Sequence, residues 1–211
     1  MSKAFNVSQA DTVTNIEELL SSSKTKSVNV LNYHSDTEGG GGVFYWDSTG
    51  DKAEHNGGTV IDPAVVFPSD WSNTTQQETW FTAGTGTGVW RRQYDGAVNV
   101  TWFGAKGDFD SSTGIGTDNY LPVSKAVSTG KDLIYKENGY LALSNGIVLS
   151  GNGQKVDGLK LVPTETGINL INVAGDNNTL SNLKLRNYKN ITSSVLNNPS
   201  VPPDFYGIVV R

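Results

Sequence analysis

A short apolar tetrad returns through the second half of this chain at a fixed interval. Gly158-Leu159-Lys160-Leu161, Asn182-Leu183-Lys184-Leu185 and Gly207-Ile208-Val209-Val210 share one pattern and begin 24 and 25 residues apart. Midway between lie Gly146-Ile147-Val148-Leu149 and Ile168-Asn169-Leu170-Ile171-Asn172-Val173. Short strands therefore recur about every 12 residues, divided by turn formers such as Gly151-Asn152-Gly153 and Gly175-Asp176-Asn177-Asn178. A period of roughly 20–50 residues is the mark of a solenoid. Strand-length, β-branched segments predict stacked β coils rising ~4.8 Å each, rather than a helical repeat. An antiparallel sandwich also spaces strands at roughly 8–12 residues. Recurrence at double spacing favours coils.

Composition points the same way. The 211 residues include 24 Gly and 20 Asn, with only 18% charged residues. Gly and Asn accept left-handed backbone at turns, whereas long helices need Ala, Leu, Glu and Lys. The class is all-β with many tight turns. A net charge of −5 lacks the Lys/Arg surplus that phosphate neutralisation requires, so nucleic-acid binding is not expected. No run approaches the ~18 apolar residues of a membrane span, and the N-terminus shows no Sec-type signal. The absence of cysteine removes disulfide frameworks and thiolate zinc sites.

Residues 1–14 are read as a flexible or partner-ordered tail, with a short helix capped by Asn15 running to Leu20. A β-rich module over 15–97 follows. Its expected strands are Ser27–Tyr33, Val43–Asp47 after the glycine run Gly39–Gly42, Thr59–Ile61 and Val89–Arg92. Residues 63–83, with Trp71 and Trp80, read as irregular. Near Asp95-Gly96 the character changes, and 98–211 carries the repeat. Thr117–Val127 reads as an amphipathic helix capped by Asp118 or Asn119 and stopped by Gly130. Leu121, Ala126 and Val127 are then available to plug the end of the coils. The chain stops at Arg211 inside a strand, which predicts that it is the leading part of a longer protein.

Val98-Asn99-Val100-Thr101-Trp102-Phe103-Gly104-Ala105-Lys106-Gly107-Asp108, followed by Thr117-Asp118-Asn119 and a helix, resembles the opening of the pectate-lyase-like right-handed parallel β-helix of phage tailspikes and capsule depolymerases. Leu133-Ile134-Tyr135 and Gly139-Tyr140-Leu141 resemble that family's first strand and turn. Gly40–Ser48, Gly57–Ile61 and Trp90-Arg91-Arg92 resemble the small module that often precedes it, so the likeness runs in order over about residues 27–188. Phe109–Gly116 is an insertion, and Asn119 stands where a second Asp is common. The resemblance implies a virion protein of the phage tail. It implies a homotrimer held to a tail or baseplate protein by its N-terminal part, with a β-helix body that binds or degrades host capsule or lipopolysaccharide. This segment is expected to be non-catalytic, and the full-length protein a candidate polysaccharide lyase or glycoside hydrolase. Rival readings are a stand-alone depolymerase and a non-catalytic carbohydrate-binding module.

No position is assigned a catalytic, cofactor-binding or metal role, and no cofactor or membrane partner is expected. Gly39–Gly42 lacks the Gly-Lys-Ser/Thr and helix of a phosphate loop; close backbone packing beside Phe44 or Trp46 explains it better. His34 and His55 have no metal-ligand spacing. Glycoside hydrolysis needs two carboxylates ~5–9.5 Å apart, and Asp108/Asp110 or Asp157/Glu165 are the pairs available. Turn and cap roles are expected for Asp108, Asp118 and Asp176. Trp46, Trp71, Trp80, Trp90 and Trp102 all precede the repeat, where packing or a subunit interface is the expected job. Arg91 and Arg92 are expected at a solvated or interfacial strand end.

Overall fold

The computed structural model describes residues 10–24, 27–165, 168–186 and 208–210. Two units divide the chain: Met1–Gly96 with Thr101–Gly104, and Ala97–Val100 with Ala105–Arg211.

The first unit contains β1 (Asp11–Val13), α1 (Ile16–Leu20), β2 (Val28–Asn32), β3 (Gly40–Asp51), β4 (Val60–Ile61), α2 (Thr74–Trp80) and β5 (Thr87–Arg92). They form one sheet in the order β1-β2-β3-β5-β4. β1 runs parallel to β2, and the other pairs are antiparallel. Asn15 starts α1 as expected, its Oδ1 accepting from Glu18 N at 3.0 Å, while Glu18 Oε2 accepts from Thr14 N at 2.8 Å. These reciprocal bonds satisfy two donors at the helix start. Residues 11–13, expected within the tail, are instead strand, because β2 offers them a free edge to pair with. Residues 1–9 lie outside the described residues.

Residues 63–83 are not all irregular. Asn73 Oδ1 accepts from Gln76 N at 3.1 Å and starts α2, while Gln76 Oε1 accepts from Asp70 N at 3.1 Å. The Asn-x-x-Gln spacing is a helix-start signal that composition alone conceals.

Strand alternation sorts the sheet into two faces. Val28, Val30, Phe44, Trp90, Arg92 and Ile61 are buried on the inner face. On the outer face Leu31 is 54% exposed and Tyr45 40% exposed, alongside half-buried Val43, Val60 and Arg91. The pairings Tyr45↔Arg91 and Val60↔Arg91 place these neighbours together.

The second unit begins with β6 (Val98–Asn99), and after a 3-10 turn at Val100–Phe103, whose residues from Thr101 on belong to the first unit, it continues with α3 (Tyr120–Ser128). After these come β7 (Leu133–Ile134), β8 (Leu141–Leu143), β9 (Ile147–Leu149), β10 (Lys155–Asp157) and β11 (Lys160–Pro163). The last strands are β12 (Ile171–Val173), β13 (Thr179–Ser181), β14 (Lys184–Leu185) and β15 (Ile208–Val210). Three sheets result, ordered β13-β10-β7-β6, β14-β11-β8 and β15-β12-β9. Every named strand pairs in parallel, which is not the pairing of an antiparallel sandwich.

The 24-residue recurrence is the register itself: Lys160 faces Lys184, Ile147 faces Ile171 and Lys155 faces Thr179. The third tetrad departs from it. Gly207 lies outside the described residues, and Ile208–Val210 pairs with β12 rather than with β14. Ile208 lies 37 positions after Ile171, more than the 24-residue spacing, and this tetrad meets a different sheet. Leu133, Leu141, Leu143, Ile147, Leu149, Val156, Leu161 and Ile171 are fully or almost fully buried, one apolar interior for the three sheets.

The first edge of each sheet is occupied. β6 lies beside β7, Asp118 bridges to Ala142 of β8, and α3 packs against β9. The buried face of α3 is Pro122, Val123, Ala126 and Val127. Leu121, expected among the plugging residues, is only half-buried because it lies one position off that face. Gly130 follows the helix with φ +67°, as expected for its stop.

Candidate functional site

Adjacent strand residues point to opposite faces, so of Arg91 and Arg92 one must turn inward. Arg91 takes the outer face, with Nε 2.7 Å from Asp47 Oδ2 and an Nη 2.7 Å from Glu54 Oε2. Arg92 is 5% exposed, which corrects the expectation of a solvated or interfacial strand end. Its guanidinium donates to three backbone carbonyls: Gly58 O at 3.1 Å, Gly41 O at 2.5 Å and Gly40 O at 2.8 Å. Its Cζ lies 4.5 Å from the Phe44 ring centroid and 4.8 Å from that of Trp102. Burial pushes this guanidinium down to about 9, which still leaves it charged at neutral pH. A buried cation survives only where donors are paired and aromatic faces replace hydration, and this cradle supplies both.

The glycine run exists for that cradle. A Cβ on Gly41 would collide with the Leu31 backbone, and one on Gly42, at φ +152°, with the Arg92 guanidinium. Packing beside Phe44 or Trp46 is thus corrected: the close partners are β2 and Arg92. Gly88 is the glycine that abuts Trp46.

Beneath the sheet the aromatic residues form one cluster. Trp80 Nε1 donates to Tyr33 Oη at 2.9 Å, and Tyr33 Oη donates to Gly57 O at 2.8 Å. Burial pushes the Tyr33 phenol far above its ordinary range, against the opposing Trp80 hydrogen bond. Trp71 lies edge-on to Tyr33 and His34 and stacks on Phe67. His34 Nε2 donates to Gly104 O at 2.9 Å. His55 Nδ1 accepts from Asp62 N at 2.9 Å while Nε2 donates to Trp80 O at 2.6 Å, which assigns the neutral Nε2–H tautomer. Both imidazoles are buried and held by backbone. Trp71, Trp80 and Trp90 are at most 6% exposed, so they pack the core rather than offer stacking faces. Trp46 and Trp102 are half-buried against Trp90 and Tyr94.

The carboxylates hold turns. Asp108 accepts from Thr117 N at 2.9 Å and Thr117 Oγ1 at 2.6 Å. Asp110 accepts from Ser112 and Thr113, and the Ser112 backbone bond leads in holding its carboxyl below the usual range. Asp118 Oδ1 accepts from Tyr120 N and from Ser144 N, both at 3.0 Å, tying the start of α3 to β8. Asp157 accepts from Ser181 Oγ at 2.7 Å in the neighbouring strand β13 and from Asn182 Nδ2 at 2.6 Å just after it, and these bonds lower it likewise. Asp176 lies in the turn where its carbonyl accepts from Gly153 N at 2.9 Å.

Asn119 does more than its capping position predicts. It is fully buried, its Oδ1 accepts from Lys106 N at 2.7 Å, and its Nδ2 donates to Lys106 O at 2.9 Å and Thr117 O at 2.8 Å. Its backbone N–H donates to Ala142 O at 2.8 Å. One side-chain amide thus closes the loop across the Phe109–Gly116 insertion.

What this arrangement does chemically is hold shape: charges and amides are spent on backbone groups. Residues 12–95 match the family described as phage tail protein small four-stranded beta-sheet domain. Among solved structures, the chain is similar to the enzymatically active domain of tailspike protein 2 of bacteriophage CBA120. The match has 21% identity over 92% of this chain and 25% of that one, with a TM-score of 0.62. It is also similar to the tailspike protein of Acinetobacter phage vB_ApiP_P1, at 17% identity over 84% of this chain and 29% of that one, TM-score 0.55. The chain therefore spans about a quarter of the length of the first of these, and nothing among curated proteins matches it. At these identities the likeness is one of fold. The phage-tail domain over residues 12–95 supports a structural protein of the phage tail, located in the tail of the virion, and the fold along the chain is similar to that of tailspike proteins.

Proposed function

We propose that residues 15–97 are a virion-attachment module and that residues 98–211 are the helix-capped first coils of a right-handed parallel β-helix. The observation that carries this reading is the register of the second unit. Three sheets of parallel strands stack over an apolar interior, with one pair in each sheet offset by 24 residues and each first edge occupied. The chain is the leading part of a longer tailspike whose β-helix body binds or degrades host surface polysaccharide. This segment mounts that body and does no chemistry of its own.

Assembly is as a homotrimer, and the outer sheet face of the first unit is what the other two copies cover. Leu31 and Tyr45 are too exposed there for residues of their size, and the half-buried Val43 and Val60 extend the same patch. Arg91 is already neutralised by Asp47 and Glu54, so burying this face strands no unpaired charge.

Immunogold labelling of intact virions with antibody raised against this chain tests the role. Label confined to the tail is expected; label on the capsid, or none on particles that contain the chain, would contradict it.

A further inference from the structure

The chain holds four Asn-Gly pairs: Asn56-Gly57, Asn138-Gly139, Asn145-Gly146 and Asn152-Gly153. A glycine after asparagine carries no side chain to shield its backbone nitrogen, so that nitrogen can reach the preceding side-chain amide carbon. Sequence alone makes the four equivalent. The fold does not.

At two of the pairs the reacting groups are held apart. Asn56 Oδ1 accepts from Gly58 N, Thr59 N and Val60 N, and its Nδ2 donates to Thr59 Oγ1 at 2.9 Å. Asn152 Oδ1 accepts from Asp176 N at 2.8 Å, while Gly153 N donates to Asp176 O at 2.9 Å. Asn138 is exposed, but among the described residues no hydrogen bond holds its amide against Gly139 N.

Asn145 differs from all three. It is exposed in the turn between β8 and β9, and its Oδ1 accepts from Gly146 N at 2.8 Å. Its Cγ, one bond from that oxygen, is thereby kept beside the nitrogen that attacks it, as in a near-attack conformer. The strand bonding takes up at Ile147 N, which donates to Leu170 O at 3.0 Å, and so does not occupy Gly146 N. From this geometry we infer that Asn145 is a self-modifying site that converts through a succinimide to aspartate and isoaspartate.

Water is the co-reactant the chemistry needs. Gly146 N gives its proton to hydroxide and bonds to Asn145 Cγ. The Cγ–Nδ2 bond breaks, and Nδ2 takes a proton from water and leaves as ammonia. Water then opens the ring. Breaking the N–Cγ bond gives aspartate, and breaking the bond from that nitrogen to the main-chain carbonyl gives isoaspartate. One water enters and one ammonia leaves, with no change of oxidation state.

Either product places a carboxylate next to Ser144, whose N and Oγ both donate to Asp118 at the start of α3. Like charges then face each other across that tie. Isoaspartate also adds one carbon to the main chain just ahead of Ile147, which faces Ile171 in register. The modification therefore loosens the junction of α3, β8 and β9 as the chain ages.

The full chain is incubated at pH 8, folded and in urea, in water labelled with heavy oxygen. Its peptides are then mapped by mass spectrometry, with aspartyl and isoaspartyl forms separated by chromatography. Each folded rate is read against that of the same pair in urea. Asn145 should convert at least as fast folded as in urea, whereas Asn56 and Asn152 should slow roughly tenfold or more. The ratio for Asn138 should fall below that for Asn145. Asn145→Gln, at an exposed position, should keep the circular dichroism and remove the label there while the other three pairs are unchanged. Protection of Asn145 like that of Asn56 and Asn152, or a ratio for Asn138 above that for Asn145, would overturn the proposal.

Discussion

Arg92 shows what a single side chain contributes here. Removing its fork takes three hydrogen bonds from the carbonyls of Gly40, Gly41 and Gly58. Arg92→Met should destabilise the first unit by about 3 kcal/mol, and Arg92→Lys, which cannot span three carbonyls, by about 2 kcal/mol. All five tryptophans lie in that unit, so urea unfolding followed by their fluorescence reports on it directly. A midpoint unchanged by Arg92→Met would show that the cradle contributes no stability.

Asp47 makes the pH counterpart. Its hydrogen bond with Arg91, then that with Thr49, holds the carboxyl below the usual range. A lowered carboxylate adds stability above its unfolded value and loses it as pH falls through the folded one. Asp47→Asn should therefore lower the urea midpoint at pH 7 and flatten its decline towards pH 3. A decline as steep as in the parent chain would contradict this. The inward arginine was legible in principle from the Arg91-Arg92 pair and strand alternation. Which carbonyls receive it was not, because they come from residues about 50 and 34 positions away.

Among elements, the strands were the most legible, since alternation and the 24-residue recurrence are written into short stretches of chain. α2 was hidden because its face mixes Gln77 and Trp80 among polar residues, leaving only its Asn73/Gln76 start signal. The placement of Ile208–Val210 was hidden for another reason: pattern matching reads composition, while sheet membership depends on the length of the intervening chain.

The cap of the strand stack turns on Asn119. Asn119→Asp would keep an acceptor for Lys106 N but lose the donors to Lys106 O and Thr117 O, and would bury a carboxylate beside carbonyls. A loss of about 2 kcal/mol is expected, confined to the second unit. Amide hydrogen exchange in β8 and α3 should speed up while that in β2 and β3 stays fixed. Equal acceleration in both units would show that the two unfold together.

At the scale of the whole molecule, the proposed role is a mount, with a sheet module whose outer face meets other copies and parallel strands that carry a body. A charge at the centre of that face, Tyr45→Asp, should dissociate the assembly while leaving the tryptophan fluorescence of the fold unchanged, since Tyr45 lies outside the buried cluster.

The most direct test is the solution mass of the native gene product, measured by light scattering beside its intact chain mass. The proposed mount predicts subunits heavier than 22.6 kDa associated in threes. A stable 22.6 kDa monomer at micromolar concentration would contradict it.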